Sequence, residues 1–304
     1  GYEEWVQFYS TGIMSSEQGF SVMEHDWFTS IQQSSDNGYL IGAETVNSVS
    51  AINGSSNNNT IQSCIIKTDI NGIEQWRHTL SSYSWSWIID EEEYEMIYNV
   101  EVVEVDDGYV AVELKQNTNF MYSVVTKINS NGEVLWYTNL VNNPIMKIEK
   151  TSNGGFICSG GQSLVKLNSN GSEEWTQTFD GAVTHAMQTS DGGYIGIINA
   201  GDNIAQLIKM NNNGAEEWLQ TYDLNGNMTI DQTLDNGYVI FGRGDVFGEI
   251  CIIKTNEFGN ITSTIELPNP TSNRELVKTT NILGQENITI KNQPLLDIYN
   301  DGSV

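Results

Sequence analysis

The hexapeptide Asn170-Gly171-Ser172-Glu173-Glu174-Trp175 constrains this chain more than any other stretch, because it comes back. Related copies are Ile70-Asn71-Gly72-Ile73-Glu74-Gln75-Trp76, Asn131-Gly132-Glu133-Val134-Leu135-Trp136 and Asn213-Gly214-Ala215-Glu216-Glu217-Trp218. A shortened copy, Gly1-Tyr2-Glu3-Glu4-Trp5, opens the sequence, and a degenerate one, Phe258-Gly259-Asn260-Ile261, ends the series. The tryptophans at 5, 76, 136, 175 and 218 are separated by 71, 60, 39 and 43 residues. Lysines at 67, 127, 166, 209 and 254 keep the same rhythm. A second signal alternates with the first: Asn37-Gly38-Tyr39, Asp107-Gly108-Tyr109, Gly154-Gly155-Phe156, Gly192-Gly193-Tyr194 and Asn236-Gly237-Tyr238.

A repeat of about 40 residues holding several short strands predicts a β-propeller. The fourth unit shows the strands best. Thr184 to Thr189, Tyr194 to Ile198, Ala205 to Met210 and Glu216 to Thr221 are β-branched or aromatic runs bounded by Gly, Asn or Asp. Asp191-Gly192-Gly193 and Asn213-Gly214 supply residues that tolerate the positive φ of tight hairpins. No segment carries apolar residues at helical spacing through a full helix length. The fold class is therefore all-β, a propeller of four-stranded antiparallel blades with a short β-rich C-terminal tail. Five strand sets, starting near Thr29, Met96, Ile145, Val183 and Met228, favour five blades. Tyr2 to Tyr9 is expected to close the ring as the fourth strand of the last blade, which would remove exposed edges. The competing arrangement gives that place to Asn260 to Leu267, which leaves the first strand orphaned by a truncation and implies a natural ring of more blades.

Three of the four prolines, Pro268, Pro270 and Pro294, lie near the C-terminus. They divide the chain into a propeller over 1–266, a linker over 267–274 and a tail over 275–304. A net charge of −26 excludes a nucleic-acid partner, since phosphate binding needs Lys and Arg, and five of the 13 basic residues sit at the one repeat position. Cys64, Cys158 and Cys251 lie in apolar runs without metal or redox spacing and read as buried small hydrophobes. No run reaches the ~18 apolar residues of a membrane helix. No signal peptide is legible, and the chain opens without Met, which reads as processing or excision from a longer one. A monomer is expected.

Four-stranded meanders place the short first-to-second and third-to-fourth turns on one face. The second-to-third and fourth-to-first connections share the other face, where length varies over Thr11 to Asp26, Thr45 to Thr60 and Leu80 to Tyr94. Variable loops on a rigid scaffold are the usual place for recognition. The candidate ligand-binding residues are Tyr83, Trp85, Trp87, Asp90, Glu91, Glu92, Glu93 and Tyr94, since aromatic rings beside carboxylates suit a carbohydrate, peptide or protein ligand. The competing reading is a packed lid, because large aromatics usually bury. Asp223, Asn225, Asn227 and Asp231 place oxygen ligands at alternating positions, so calcium is the one cofactor weighed, although the terminal bidentate Glu is absent. The repeated tryptophans read as blade-to-blade packing, and the repeated lysines as stems laid over the sheet toward the acidic pair before each Trp.

Two functions compete. The first is a secreted or cell-surface binding module. The second is a glycoside hydrolase or lyase, with Glu24, Asp26, Asp90 to Glu93 and Asp245 as candidate acids. Binding is favoured over catalysis, because the blades are alike and no isolated acid stands out in the inner strands.

The pattern of Trp, then Asp-Gly-Gly-Tyr, then Ile-Lys, then Asn-Gly and Trp resembles the secreted propeller repeats of Bacteroidetes, which are similar to quinoprotein-like and WD40-like propellers. The likeness covers residues 1–266 and implies the fold. The tail, with Asn269-Pro270, Ile282-Leu283-Gly284-Gln285-Glu286 and Tyr299-Asn300-Asp301-Gly302, resembles a type IX secretion C-terminal sorting domain, truncated at Val304 before that family's short basic strand. That resemblance implies export by the secretion machinery and a place outside the cell or on its outer surface.

Overall fold

The computed structural model describes residues 20–51, 57–86, 96–141, 143–244, 250–266, 276–281 and 295–299. Twenty strands form five four-stranded sheets, each an antiparallel meander in chain order. Blade 1 contains Phe20–Gln33 (β1), Tyr39–Ala51 (β2), Asn57–Thr68 (β3) and Glu74–Ser86 (β4). Blade 2 contains Met96–Val105 (β5), Gly108–Gln116 (β6), Met121–Asn129 (β7) and Val134–Val141 (β8). Blade 3 contains Lys147–Lys150 (β9), Phe156–Gly160 (β10), Ser163–Leu167 (β11) and Glu173–Thr178 (β12). Blade 4 contains Ala182–Gln188 (β13), Tyr194–Gly201 (β14), Ile204–Met210 (β15) and Glu216–Asp223 (β16). Blade 5 contains Asn225–Gln232 (β17), Tyr238–Arg243 (β18), Ile250–Thr255 (β19) and Ile261–Glu266 (β20). A separate hairpin joins Leu276–Asn281 (β21) to Leu295–Tyr299 (β22). The all-β propeller with five blades is thus as the repeat predicts.

Two expectations change. The fourth place in blade 5 belongs to β20, hydrogen-bonded to β19, so it is not open to Tyr2–Tyr9, which lies outside the described residues. Phe258-Gly259-Asn260 makes the same turn as its better-formed relatives, and that turn delivers β20 to the ladder. Second, much of the three length variations is strand, and it falls in one blade. Phe20 to Asp26 pairs with Thr45 to Ala51, Asn57 to Gln62 pairs with Ser50 to Thr45, and Ser82 to Ser86 continues β4. Blade 1 therefore extends as a fin. Ser and Asn read as loop by composition, but a neighbour on each side satisfies the backbone, and Val46, Val49 and Ile61 supply strand-forming positions.

The sequence signals interlock. Each described repeat Trp reaches the aromatic of the next blade: Trp76 to Tyr109 at 5.1 Å, Trp136 to Phe156 at 6.2 Å, Trp175 to Tyr194 at 5.3 Å and Trp218 to Tyr238 at 6.0 Å between centroids. At three of these four boundaries the turn glycine of the next blade then lies on that Trp, while Gly132 lies on His78 instead. A Cβ at Gly171, Gly214 or Gly259 would come within 2.6, 2.8 and 2.8 Å of the rings of Trp136, Trp175 and Trp218. Asp69, Asn129, Asn168, Asn211 and Asn256 hold these turns, each accepting two backbone N–H groups.

The repeat lysines join the two signals within a blade. Lys166 and Lys209 reach Glu174 and Glu217 at 3.0 Å, the acids directly before the Trp. Lys67, Lys127, Lys209 and Lys254 also hold the turn acids Asp36, Asp107, Asp191 and Asp235. Burying each ammonium is tolerable only because a carboxylate or carbonyl meets it. The apolar core is correspondingly split among blade boundaries. One cluster joins Ile195, Leu207 and Tyr222 to Ile230, Tyr238 and Ile253, and similar ones join blades 1 and 2, 2 and 3, and 3 and 4. Cys64, Cys158 and Cys251 are buried and in no disulfide, as expected, and burial pushes Cys158 up to about 12.

Candidate functional site

The first strand of each blade lies innermost. β1 packs on β5, β5 on β9, β9 on β13 and β13 on β17. At the root of the blade 1 fin these strands enclose a cleft of about 510 Å³ lined by Phe28, Thr29, Ser30, Ile31, Ile41, Glu101 and Lys147. Polar side chains of β1 fasten it to β5. Thr29 Oγ1 donates to the Val100 carbonyl at 2.6 Å and accepts the Val100 N–H, while Ser30 and Gln32 donate to the carbonyls of Val100 and Val102. The large side chains are left at the surface: Trp27 is 55%, Phe28 49% and Ile31 68% exposed. Three such residues along one inner strand are unusual for a surface that binds nothing.

A row of charges continues from this cleft. Lys147 Nζ donates to Glu101 Oε2 at 2.9 Å. Burial raises the Glu101 carboxyl above its usual range, Lys147 opposes that shift, and the nearby Glu149 adds to it. His185 Nε2 lies 3.6 Å from Glu149 Oε1, and its Nδ1 accepts the Ile230 N–H at 3.2 Å. That acceptor role places the imidazole proton on Nε2, facing the carboxylate. The expectation that no acid stands out on the inner strands is therefore corrected: Glu101 is on β5 and Glu149 on β9. Glu101 is hydrogen-bonded by Lys147, and Glu149 faces the His185 ring. An acid–base pair for glycoside hydrolysis instead needs carboxyls facing each other across the substrate.

A second polar group is hidden in an apolar sequence run. Between blades 1 and 2, Ser63 and Ser81 both donate to the buried carboxylate of Glu113, and Lys115 lies 3.7 Å from it. Glu44, the cross-strand partner of Ser63, is 4% exposed and its Oε1 has no hydrogen-bond partner. Burial pushes Glu44 up to about 7. Val110-Ala111-Val112-Glu113-Leu114 gives the only hint, a charge within a hydrophobic strand.

The expected ligand loop is only partly in view. Tyr83 is half-buried on β4 and packs with Ile61, Ile97 and Val100, and the Trp85 backbone pairs with Asn59. Trp87, Asp90, Glu91, Glu92, Glu93 and Tyr94 lie outside the described residues, as does Asp245. Glu24 and Asp26 are placed on β1. Of the expected calcium ligands, Asp223 ends β16, while Asn225, Asn227 and Asp231 lie along the strand β17 rather than around a loop. Asn225 donates to Asn203, and Asp231 accepts the Gln232 N–H. Among the described residues no group of three or more His, Cys, Asp or Glu is placed to hold a metal ion, and no helix is long and apolar enough to cross a membrane.

A larger opening of about 810 Å³ lies on the turn face between blades 3 and 4. Its lining includes Trp175, Asp191, Lys209 and Glu217, the residues of the interlock, and a similar groove recurs between blades 4 and 5. Because those groups satisfy one another, the opening is a by-product of the repeat.

The family model described as outer membrane protein assembly factor BamB matches residues 122–279. Among solved structures, BamB from Moraxella catarrhalis aligns with 59% of this chain and 53% of its own at 16% identity and a TM-score of 0.43, so the chain spans about half the length of that protein. A protein of unknown function from Bacteroides caccae aligns with 69% of this chain and 78% of its own (11% identity, TM-score 0.45), and the Dos1 propeller with 80% and 70% (13%, 0.48). No curated protein matches the sequence.

Proposed function

The chain belongs to the family described as outer membrane protein assembly factor BamB, a β-propeller repeat family, and from that premise we propose that it is a protein-binding propeller whose partner seats a polypeptide segment in the inner-strand cleft. One observation supports the reading above others: Phe28 and Ile31 stand exposed on the innermost strand, lining one cleft with the Glu101–Lys147 pair. Apolar anchors rimmed by polar groups are the anatomy of a protein interface. A peptide offers both an apolar side chain for Phe28 and Ile31 and backbone groups for Glu101 and Lys147. In this reading the blade 1 fin serves as the outer wall.

The test is selection from a displayed peptide library on the full chain, followed by affinity measurement with Phe28→Ala, Ile31→Asp and Trp87→Ala. Loss of at least about tenfold, roughly 1.4 kcal/mol, in the first two variants is expected. Loss only in Trp87→Ala moves the site to the 83–94 segment. Equal binding by all four proteins sinks the proposal. The tail is read as an export signal for a type IX machinery, placing the propeller outside the cell; the support is its sequence resemblance. Cell fractionation with and without residues 275–304 tests that, and unchanged export on deletion would remove it.

A further inference from the structure

The register lets each face of blade 5 be compared with that of blade 4. Val239, Phe241, Ile250 and Ile252 of blade 5 occupy the places of Ile195, Ile197, Ala205 and Leu207 of blade 4. The blade 4 residues are all 0% exposed, because blade 5 covers them. Their blade 5 counterparts are apolar too, yet Phe241 is 44% and Ile250 43% exposed, and Val239 and Ile252 are only half-buried. The interlock also stops here. Ser263 pairs with Lys254 where Trp218 pairs with Lys209, so blade 5 offers no Trp to a following sheet. A face with the composition of an internal boundary is left half open. At the other end of the series, Ile41, Ala43, Cys64 and Ile66 on the leading face of blade 1 are no more than 5% exposed, whereas Phe28 and Ile31, opposite Ala43 and Ile41 on that face, stand exposed, so a second copy arriving head to tail is a rival occupant that the test below separates.

The hairpin β21–β22 has the complementary problem. It is a two-stranded sheet paired to no other described strand, and an isolated hairpin is at best marginally stable in water. Its register sets Leu276 opposite Tyr299 and Asn281 opposite Leu295, with Leu296 and Ile298 alternating between them. β20 ends at Glu266 and β21 begins at Leu276. A tether of that length spans up to roughly 30 Å, while sheets stack about 10 Å apart. We propose that the hairpin β21–β22 folds back onto the open face of blade 5 and covers Val239, Phe241, Ile250 and Ile252, in the place a further blade would take.

Hydrogen exchange on the full chain tests this. In the wild type the amides of 276–281 and 295–299 are expected to be protected, and Phe241→Asp to speed their exchange by at least about tenfold while β13 to β16 stay unchanged. If Phe241→Asp also loosens blade 4, Ile250→Thr, a smaller change on the same face, is expected to give the selective effect. Unprotected hairpin amides in the wild type, or protection indifferent to both substitutions, overturn the proposal. So does a change confined to residues 1–19, which would make the N-terminal segment the cover. A dimer by light scattering that Phe241→Asp dissociates would assign the face to a second copy instead, and also overturns it.

Discussion

The ring of Trp175 meets that of Tyr194 edge-on, centroids 5.3 Å apart and planes at 73°, across the boundary between blades 3 and 4. This contact turns a repeated sequence into a fold, since the same pair recurs at each described boundary. Trp175→Ala removes the edge-to-face contact and the surface on which Gly214 rests. A loss of about 3 kcal/mol in urea unfolding is expected, at the lower end for aromatic truncation because Trp175 is only partly buried. Tyr137→Ala, at a side chain 67% exposed, should change stability by less than about 0.5 kcal/mol. Equal effects would refute the interlock.

Lys209 sits 3% exposed between Asp191 and Glu217. Burial tends to raise the Asp191 carboxyl, but hydrogen bonds from Thr189, Lys209 and Gly193 bring it down from 3.8 to about 2. A depressed acid adds stability above its unfolded value and loses it as protons bind the folded state. The contribution of Asp191 is thus present above pH 3.8 and disappears as pH falls toward about 2. Melting temperatures across that window should fall more steeply for the wild type than for Lys209→Gln, in which one of the lowering partners is gone. Parallel curves would argue against the assignment.

Glu44 behaves in the opposite sense. Burial raises it from 4.5 to about 7, so the folded state prefers the neutral acid and loses stability as pH rises between those values. Glu44→Gln keeps the shape without the charge. It should be nearly neutral near pH 4.5 and stabilising at pH 8, by up to about 3 kcal/mol at about 1.4 kcal/mol per pK unit. Denaturant midpoints at the two pH values decide it; a gain at neither would mean that the carboxylate is solvated.

What the sequence displays and what it hides follow from repetition. Trp175, Lys209 and Gly214 recur, so their structural role is readable from the repeat itself. The turn acids Asp36 and Asp235 recur as well, but only the fold brings them to Lys67 and Lys254 across the sheet. Phe28, Ile31, Glu101 and Lys147 do not recur, and they lie on strands or connections from three blades, so nothing local marks them as neighbours. The fin escapes a sequence reading for a different reason. Ser- and Asn-rich composition around Asn57 to Thr60 reports polarity, whereas strand formation there depends on having a ladder partner on both sides.

The turn before the repeat aromatic of each blade offers the sharpest contrast, because two adjacent glycines serve different ends. Gly192 has φ +83° with nothing within 4 Å of where a Cβ would stand, and blades 1 and 5 carry Asn37 and Asn236 there at φ 68° and 61°. Asn tolerates that region, so Gly192→Asn should cost less than about 0.5 kcal/mol. Gly193 has no such latitude. A Cβ there would lie 2.4 Å from the Met210 carbonyl oxygen and 2.5 Å from Lys209 Nζ, both fixed by the lysine's own hydrogen bonds. Gly193→Ala must therefore push the turn off the sheet or displace the buried ammonium. A loss above about 2 kcal/mol in denaturant unfolding is expected, together with a weaker acid dependence because Asp191 loses its cation. If the two variants were equally stable, positive φ rather than close approach would be what the Gly-Gly pair provides.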